Sequence, residues 1–185
     1  MLDEIKGRFE DKNVEKYCFS LLKGVPEYFW TVPASSSGKY HPEYALGEGG
    51  LVRHTCALLR ILDHILSLES TASRIGSRER DLLRVAAIMH DTFKSGTQED
   101  YEKSIYTKHD HPNIAAGYVK ESECLKYGVS EEERDFVASA IRTHMGQWNI
   151  SERCPVVLDK PSDKYQNLLH QCDYLASRKD IEIKF

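Results

Sequence analysis

The sequence predicts an all-α domain. Apolar residues recur at helical spacing in segment after segment, and caps and breakers punctuate those segments. The one strand-like run, Ile181 to Phe185, falls at the end of the 185 residues. That length suits one domain, taken as residues 1–185, and is enough to bury a hydrophobic core. Apolar and charged fractions of 41% and 29% are those of a folded water-soluble protein.

The elements follow in order. Residues 12–23 place Val14, Tyr17, Leu21 and Leu22 on one helical face, and Gly24 with Pro26 ends the segment. Residues 31–50, TVPASSSGKYHPEYALGEGG, read as a long loop rich in Pro, Ser and Gly, of the kind that carries function when a small domain keeps it. From Leu51 to Leu68 the positions Leu51, His54, Leu58, Ile61 and Ile65 mark a long helix. Ser77 to Met89 forms the next, with Leu82, Val85, Ala86 and Met89 inward. Pro112 suits the first turn of a helix running to Tyr127, before Gly128. Ser130 with Glu133 makes a capping box that opens a helix through Ile141 to His144. Ser162 to Ser177 is the last, with Leu168, Leu169 and Cys172 inward.

Composition excludes several classes. No window approaches the ~18 uninterrupted apolar residues of a membrane span. The first residues, MLDEIKGRFEDK, are charged throughout and lack the apolar core of an export signal. A net charge of −4 offers no global attraction to nucleic acid, although a local basic groove remains compatible with it. The five cysteines are odd in number, scattered and free of any CxxC pair, which argues against a disulfide framework and a thiolate zinc site. Reduced thiols in a cytoplasmic protein are expected.

The chemistry gathers on histidines and carboxylates. His54 lies on an apolar helix face, where a lone histidine is more often a hydrogen-bonded core residue than a ligand. His90 and Asp91 end a helix that is still leaving the core. Asp173 interrupts an inward face between Leu169 and Ala176, and a buried carboxylate costs several kcal/mol unless it is paired or binds metal. Together these four lie on core-facing sides of three predicted helices, as helical metal sites require. Such mixed nitrogen and oxygen ligands suit Mn²⁺, Fe²⁺, Zn²⁺, Co²⁺ or Mg²⁺ without choosing among them.

The order H…HD…D resembles that of the HD-domain superfamily of metal-dependent phosphohydrolases. GGLVRHT (49–55), AAIMHDTFKSG (86–96) and QCDYLAS (171–177) are similar to the superfamily's three ligand segments. The similarity spans about residues 49–178 and implies an HD-type helical bundle, with a long loop before the first ligand helix. HPNIAAG (111–117) and IRTHMGQW (141–148) resemble segments that add ligands in some members, although only one histidine stands in the second. The resemblance thus implies two divalent ions, with nickel added to the metals above. His54, His90, Asp91 and Asp173 would complete one sphere, His111 and His144 would hold the other, and Asp91 would bridge them. His109 is a weaker substitute for His111, and His64 and His170 read as surface or packing residues.

The implied activity is hydrolysis of a phosphomonoester or phosphodiester by a shared metal-bound hydroxide, with Asp91 and Lys94 catalytic. Lys94 would neutralise a phosphate oxygen. Lys39, Tyr40 and His41, in the loop preceding the first ligand, are candidates for gripping substrate, as are Arg53 and Arg142 on weaker grounds. Trp148 could stack on a base or seal the core, and packing is the favoured reading. The motif pattern is closest to the HD domains of 3′–5′ exoribonuclease-type proteins, but no strand-rich module is present to hold a polynucleotide. A small nucleotide or short oligonucleotide is therefore the expected substrate. A cyclic dinucleotide is disfavoured because no GYP follows His144. The alternatives are a non-catalytic metal- or nucleotide-binding regulator and a di-iron oxygenase.

Overall fold

The computed structural model describes residues 1–35, 38 and 41–184. Among these, the α-helices are α1 (Leu2–Ile5), α2 (Lys12–Leu22), α3 (Gly50–Ser67), α4 (Glu69–Ala72), α5 (Ser77–Met89), α6 (Gln98–Lys103), α7 (His111–Lys120), α8 (Glu131–Arg142) and α9 (Lys164–Ala176). No β-strand occurs among the described residues, so the fold is all-α. Helix α3 packs against α5 and α9, α8 bridges α5 and α7, and α2 lies against α5. Their inward faces form one core that includes Leu58, Leu59, Leu62, Leu83, Ile88, Met89, Val137, Ile141 and Leu169.

Local chemistry accounts for the helix ends. Asp11 caps α2 by accepting from the backbone N–H of Asn13 at 2.7 Å. Glu79 reaches back to the N–H of Gly76 at 2.6 Å and opens α5. The Ser130–Glu133 capping box is present in both directions, at 3.2 and 2.8 Å. The helix expected over 112–127 is broken. Helix α7 stops at Lys120, and Cys124–Tyr127 forms a separate 3-10 turn. Ser122, whose hydroxyl lies within hydrogen-bond distance of the Val119 carbonyl and the Tyr17 hydroxyl, offers the backbone a local alternative to helix.

The terminal run 181–184 forms no strand, because no neighbouring strand exists to pair with it. Instead Ile183 packs against the core and the Lys184 carbonyl accepts from Arg60. Helices α1, α4 and α6 have 4, 4 and 6 residues, too short to leave a clear period in the sequence.

The segment ahead of α3 is folded, with a 3-10 turn at Glu43–Ala45. Backbone bonds join Ala34 N–H to Ala45 O at 3.0 Å, Gly49 N–H to Thr31 O at 2.7 Å and Leu51 N–H to Val32 O at 2.9 Å. The approach is so close that a Cβ at Gly50 would lie 2.2 Å from the Ala45 carbonyl oxygen. This seam delivers His41 to the start of α3.

Candidate metal centre

Five helices each bring a candidate metal ligand to one place. His54 projects from α3, and His90 ends α5 with Asp91 and Lys94 in the turn that follows. His111 is the first residue of α7, His144 lies in the turn after α8, and Asp173 is on α9. The four histidines are buried, with exposures of 0% (His54, His90) and 1% (His111, His144), and Asp91 is 2% exposed.

Their ligand-type atoms fall into two triads, His54–His90–Asp173 and Asp91–His111–His144, each with all its atoms within 4.8 Å of one another. In the first, Asp173 Oδ1 lies 3.0 Å from His54 Nε2 and 3.7 Å from His90 Nε2. Asp91 straddles the two. Its Oδ1 is 3.0 Å from His111 Nε2 and 3.5 Å from His144 Nε2, while Oδ2 is 3.4 Å from His90 Nε2 and 3.8 Å from His54 Nε2.

Hydrogen bonding turns the rings toward the cluster. The Nδ1 atoms of His90, His111 and His144 lie 2.8, 2.6 and 2.7 Å from the carbonyls of Ala87, Lys108 and Ile141, each three residues back. A carbonyl only accepts, so each Nδ1 carries the proton and each Nε2 presents a lone pair inward. His111 Nε2 and His144 Nε2 are then two lone pairs only 3.2 Å apart. Moreover, His54 Nε2, His90 Nε2 and Asp91 Oδ1 are buried without a hydrogen bond among the described residues. Converging acceptors with no donor between them repel unless a cation joins them. The donor set suits divalent ions of the nitrogen- and oxygen-loving kind.

The electrostatics agree. Burial alone would raise the Asp91 carboxyl, but the adjacent Lys94 ammonium holds it well below the usual carboxylate range. Asp173 is likewise opposed by burial yet held low by the surrounding imidazoles, His54 foremost at 3.0 Å. Desolvation lowers the pKa of His111. Both carboxylates are therefore charged and ready to bind metal.

A cavity of about 580 Å³ opens on these atoms, lined by His41, Lys94 and four of the ligands together with Thr107, Met145, Trp148, Tyr174, Ser177 and Arg178. His41 stands at this wall with its ring 5.4 Å from that of His54, and neither of its nitrogens has a partner among the described residues. Desolvation drops its pKa to about 3, so it is neutral. Lys94 donates to Asp91 Oδ2 and also lines the cavity.

Other expectations fall elsewhere. Lys39 and Tyr40 lie outside the described residues. Arg53 faces away from the cavity lining: its guanidinium bonds the carbonyls of Tyr44 at 2.5 Å and Leu46 at 2.8 Å and so ties the preceding segment to α3. Arg142 pairs with Asp159 at 3.0 Å in a separate, larger cavity of about 750 Å³ that contains none of the ligands. His109 Nε2 meets the Asn149 carbonyl at 3.3 Å and joins neither triad. His64 is exposed.

Trp148 is no core residue, being 43% exposed and in the cavity wall. Met145, Tyr174, Ser177 and Arg178 were missed. Each follows within a few residues of a ligand, His144 or Asp173, and that adjacency was the available signal. His170 also has a role beyond packing, since its Nδ1 is 2.8 Å from the His144 carbonyl and fixes the turn that carries this ligand. That turn needs glycine: Gly146 has φ +55°, and a Cβ there would lie 2.2 Å from the His170 ring.

No curated protein and no solved structure matches the chain. The family model described as HD domain matches residues 57–178, more than half of the chain, beginning just past His54 and including the other five ligands of the two triads. With the histidine–aspartate pair at the end of α5 as its centre, the chain belongs to the HD-domain family of the metal-dependent phosphohydrolase superfamily.

Proposed function

We propose that this chain is a phosphohydrolase that cleaves a phosphomonoester or phosphodiester of a nucleotide or short oligonucleotide, using two divalent metal ions. The observation that supports it most is Asp91 between two triads on which the lone pairs of His90, His111 and His144 and the carboxylate oxygens converge. Bound there, such ions supply Lewis acidity toward phosphoryl oxygens and a nucleophilic hydroxide at neutral pH.

The chain's own residues do the rest. His54, His90 and Asp173 would hold one ion, His111 and His144 the other, and Asp91 both. The carbonyls of Ala87, Lys108 and Ile141 keep three rings in the ligating tautomer. Lys94, only 15% exposed on its side chain and already at Asp91, is placed to neutralise a phosphoryl oxygen as charge develops. His41, neutral and unpartnered in the wall, is placed to bind substrate. The reading treats residues 1–185 as one domain, supported by a single core that runs from Ile5 to Ile183. It also takes the protein as cytoplasmic, consistent with five free cysteines. Among the described residues no helix is long and apolar enough to cross a membrane.

Turnover of bis-p-nitrophenyl phosphate and p-nitrophenyl phosphate with added Mn²⁺, Ni²⁺ or Co²⁺ tests the proposal. Metal-dependent release of nitrophenol that disappears in Asp91→Ala is the expected result. Absence of turnover with every metal, nucleotide binding being retained, would overturn it in favour of a regulatory binding module.

A further inference from the structure

The cavity beside the ligands has an aromatic wall. Trp148 and Tyr174 stack with ring centroids 5.4 Å apart and planes at 22°, and the Arg178 guanidinium lies 4.4 Å over the Tyr174 ring. Tyr174 is the residue after Asp173, and Trp148 is four residues after His144, so the wall is tethered to a ligand of each triad. A tryptophan that merely filled the core would be covered, yet this one is 43% exposed and faces the cavity. Independently, Arg178 Nε is buried with no hydrogen bond among the described residues, although the side chain is held over Tyr174. A buried guanidinium donor left unpaired is costly, and this one belongs to a residue lining the cavity.

A flat aromatic surface with a fixed cationic donor beside a phosphate-binding centre suits a nucleobase, which offers a π-face and acceptor atoms together. A volume of about 580 Å³ is that of a pocket for one small organic ligand. Resting on the phosphohydrolase reading, we propose that the substrate is a single nucleoside phosphate. Its base stacks on the Trp148–Tyr174 wall, Arg178 donates to an acceptor of the same nucleoside, and its phosphate meets the metal centre. Trp148 and Arg178 thereby become specificity residues, and selection is for the base rather than for the phosphate alone.

The test is calorimetric binding to the metal-loaded protein, comparing adenosine, guanosine, cytidine and uridine monophosphates with ribose 5-phosphate, which lacks the base. The best nucleoside monophosphate is expected to bind about tenfold or more tightly than ribose 5-phosphate, within the range of one base–aromatic stack. In Trp148→Ala that ratio should fall toward one, and Trp148→Phe should restore most of it. Arg178→Ala should weaken the nucleotide by about five- to tenfold. Equal affinity of wild-type protein for all ligands, or a ratio unchanged in both alanine variants, overturns the base wall while leaving metal-dependent turnover of the nitrophenyl esters to speak for the hydrolase. The ratio without turnover under any metal supports the wall and removes the hydrolase.

Discussion

Two buried acidic clusters of this molecule differ in one respect. Around Asp81, which is 0% exposed, every charge is answered: the carboxylate accepts from the N–H groups of Glu10 at 3.2 Å and Asp11 at 2.7 Å and from Arg84 at 2.6 Å. Arg84 in turn bonds Asp63 at 2.7 Å, and Arg8 shares Asp63. Around Asp91, itself 2% exposed, Lys94 answers one carboxylate oxygen, but His54 Nε2, His90 Nε2 and Asp91 Oδ1 have no hydrogen bond among the described residues. Donors matched to acceptors make a brace that pins the N-terminal segment to α5. Acceptors crowded on acceptors make a place for cations. Burial of charge is common to both, so the pairing pattern is what separates structure from function.

The comparison can be broken by experiment. The largest expected effect is on activity. Asp91→Ala should lose turnover by more than about a hundredfold, since even the outer partners of metal ligands are worth 10–100-fold in affinity or activity. Its helical circular dichroism should persist, because Lys94 can turn into the cavity. The same variant should lose the thermal stabilisation by metal, worth about 2.7 kcal/mol at a hundredfold excess over Kd in a protein that binds. A full metal shift in Asp91→Ala would dissolve the distinction.

Asp81→Ala should do the converse. Leaving Arg84 Nη1 and two backbone N–H groups without Asp81 in the interior, although Arg84 keeps Asp63, should cost about 3 kcal/mol, a fall in Tm of roughly 6–12 °C for a chain of this size, with metal stoichiometry unchanged. Next in size, His111→Ala and His144→Ala should each lower bound metal from about two ions toward one, measured by elemental analysis of the dialysed protein. Unchanged stoichiometry would reduce the centre to one ion.

The smallest effect is on acid stability. Lys108, the Thr97 N–H and the Thr97 hydroxyl hold Asp100 down to about 2 against the small opposing effect of burial. A depressed folded pKa stabilises at pH above the unfolded value, about 3.9, and that contribution fades as pH falls from there through about 2. Asp100→Asn should therefore lower Tm slightly at pH 6 and converge with wild type by pH 2, and parallel curves would contradict it.

Much of this site was legible in the chain. Adjacent His90 and Asp91 at a helix end, an aspartate on an inward face at 173 and a capping box at Ser130 are local signals, set by helical period and by the chemistry of neighbouring residues. Arg53 and Arg142 show where such signals stop. Each is close in sequence to a ligand, yet one is spent on the carbonyls of Tyr44 and Leu46 and the other points to Asp159. Trp148 goes the opposite way: the sequence favours packing over stacking on a base, and the residue stands in the cavity wall. Side-chain direction at a helix end depends on what packs beside it, and no period in the sequence records that.

By itself the sequence determined an all-α chain, the places where its principal helices begin, and a set of histidines and aspartates suited to metal. These follow from backbone hydrogen bonding and apolar periodicity, which act over a few residues. Tertiary structure alone decided that Asp91 stands between two triads. It also decided that Trp148 and Tyr174 meet as one wall. Such relations join residues tens of positions apart, and only the crossing of α3, α5, α7, α8 and α9 around a shared core brings their side chains within a few ångströms.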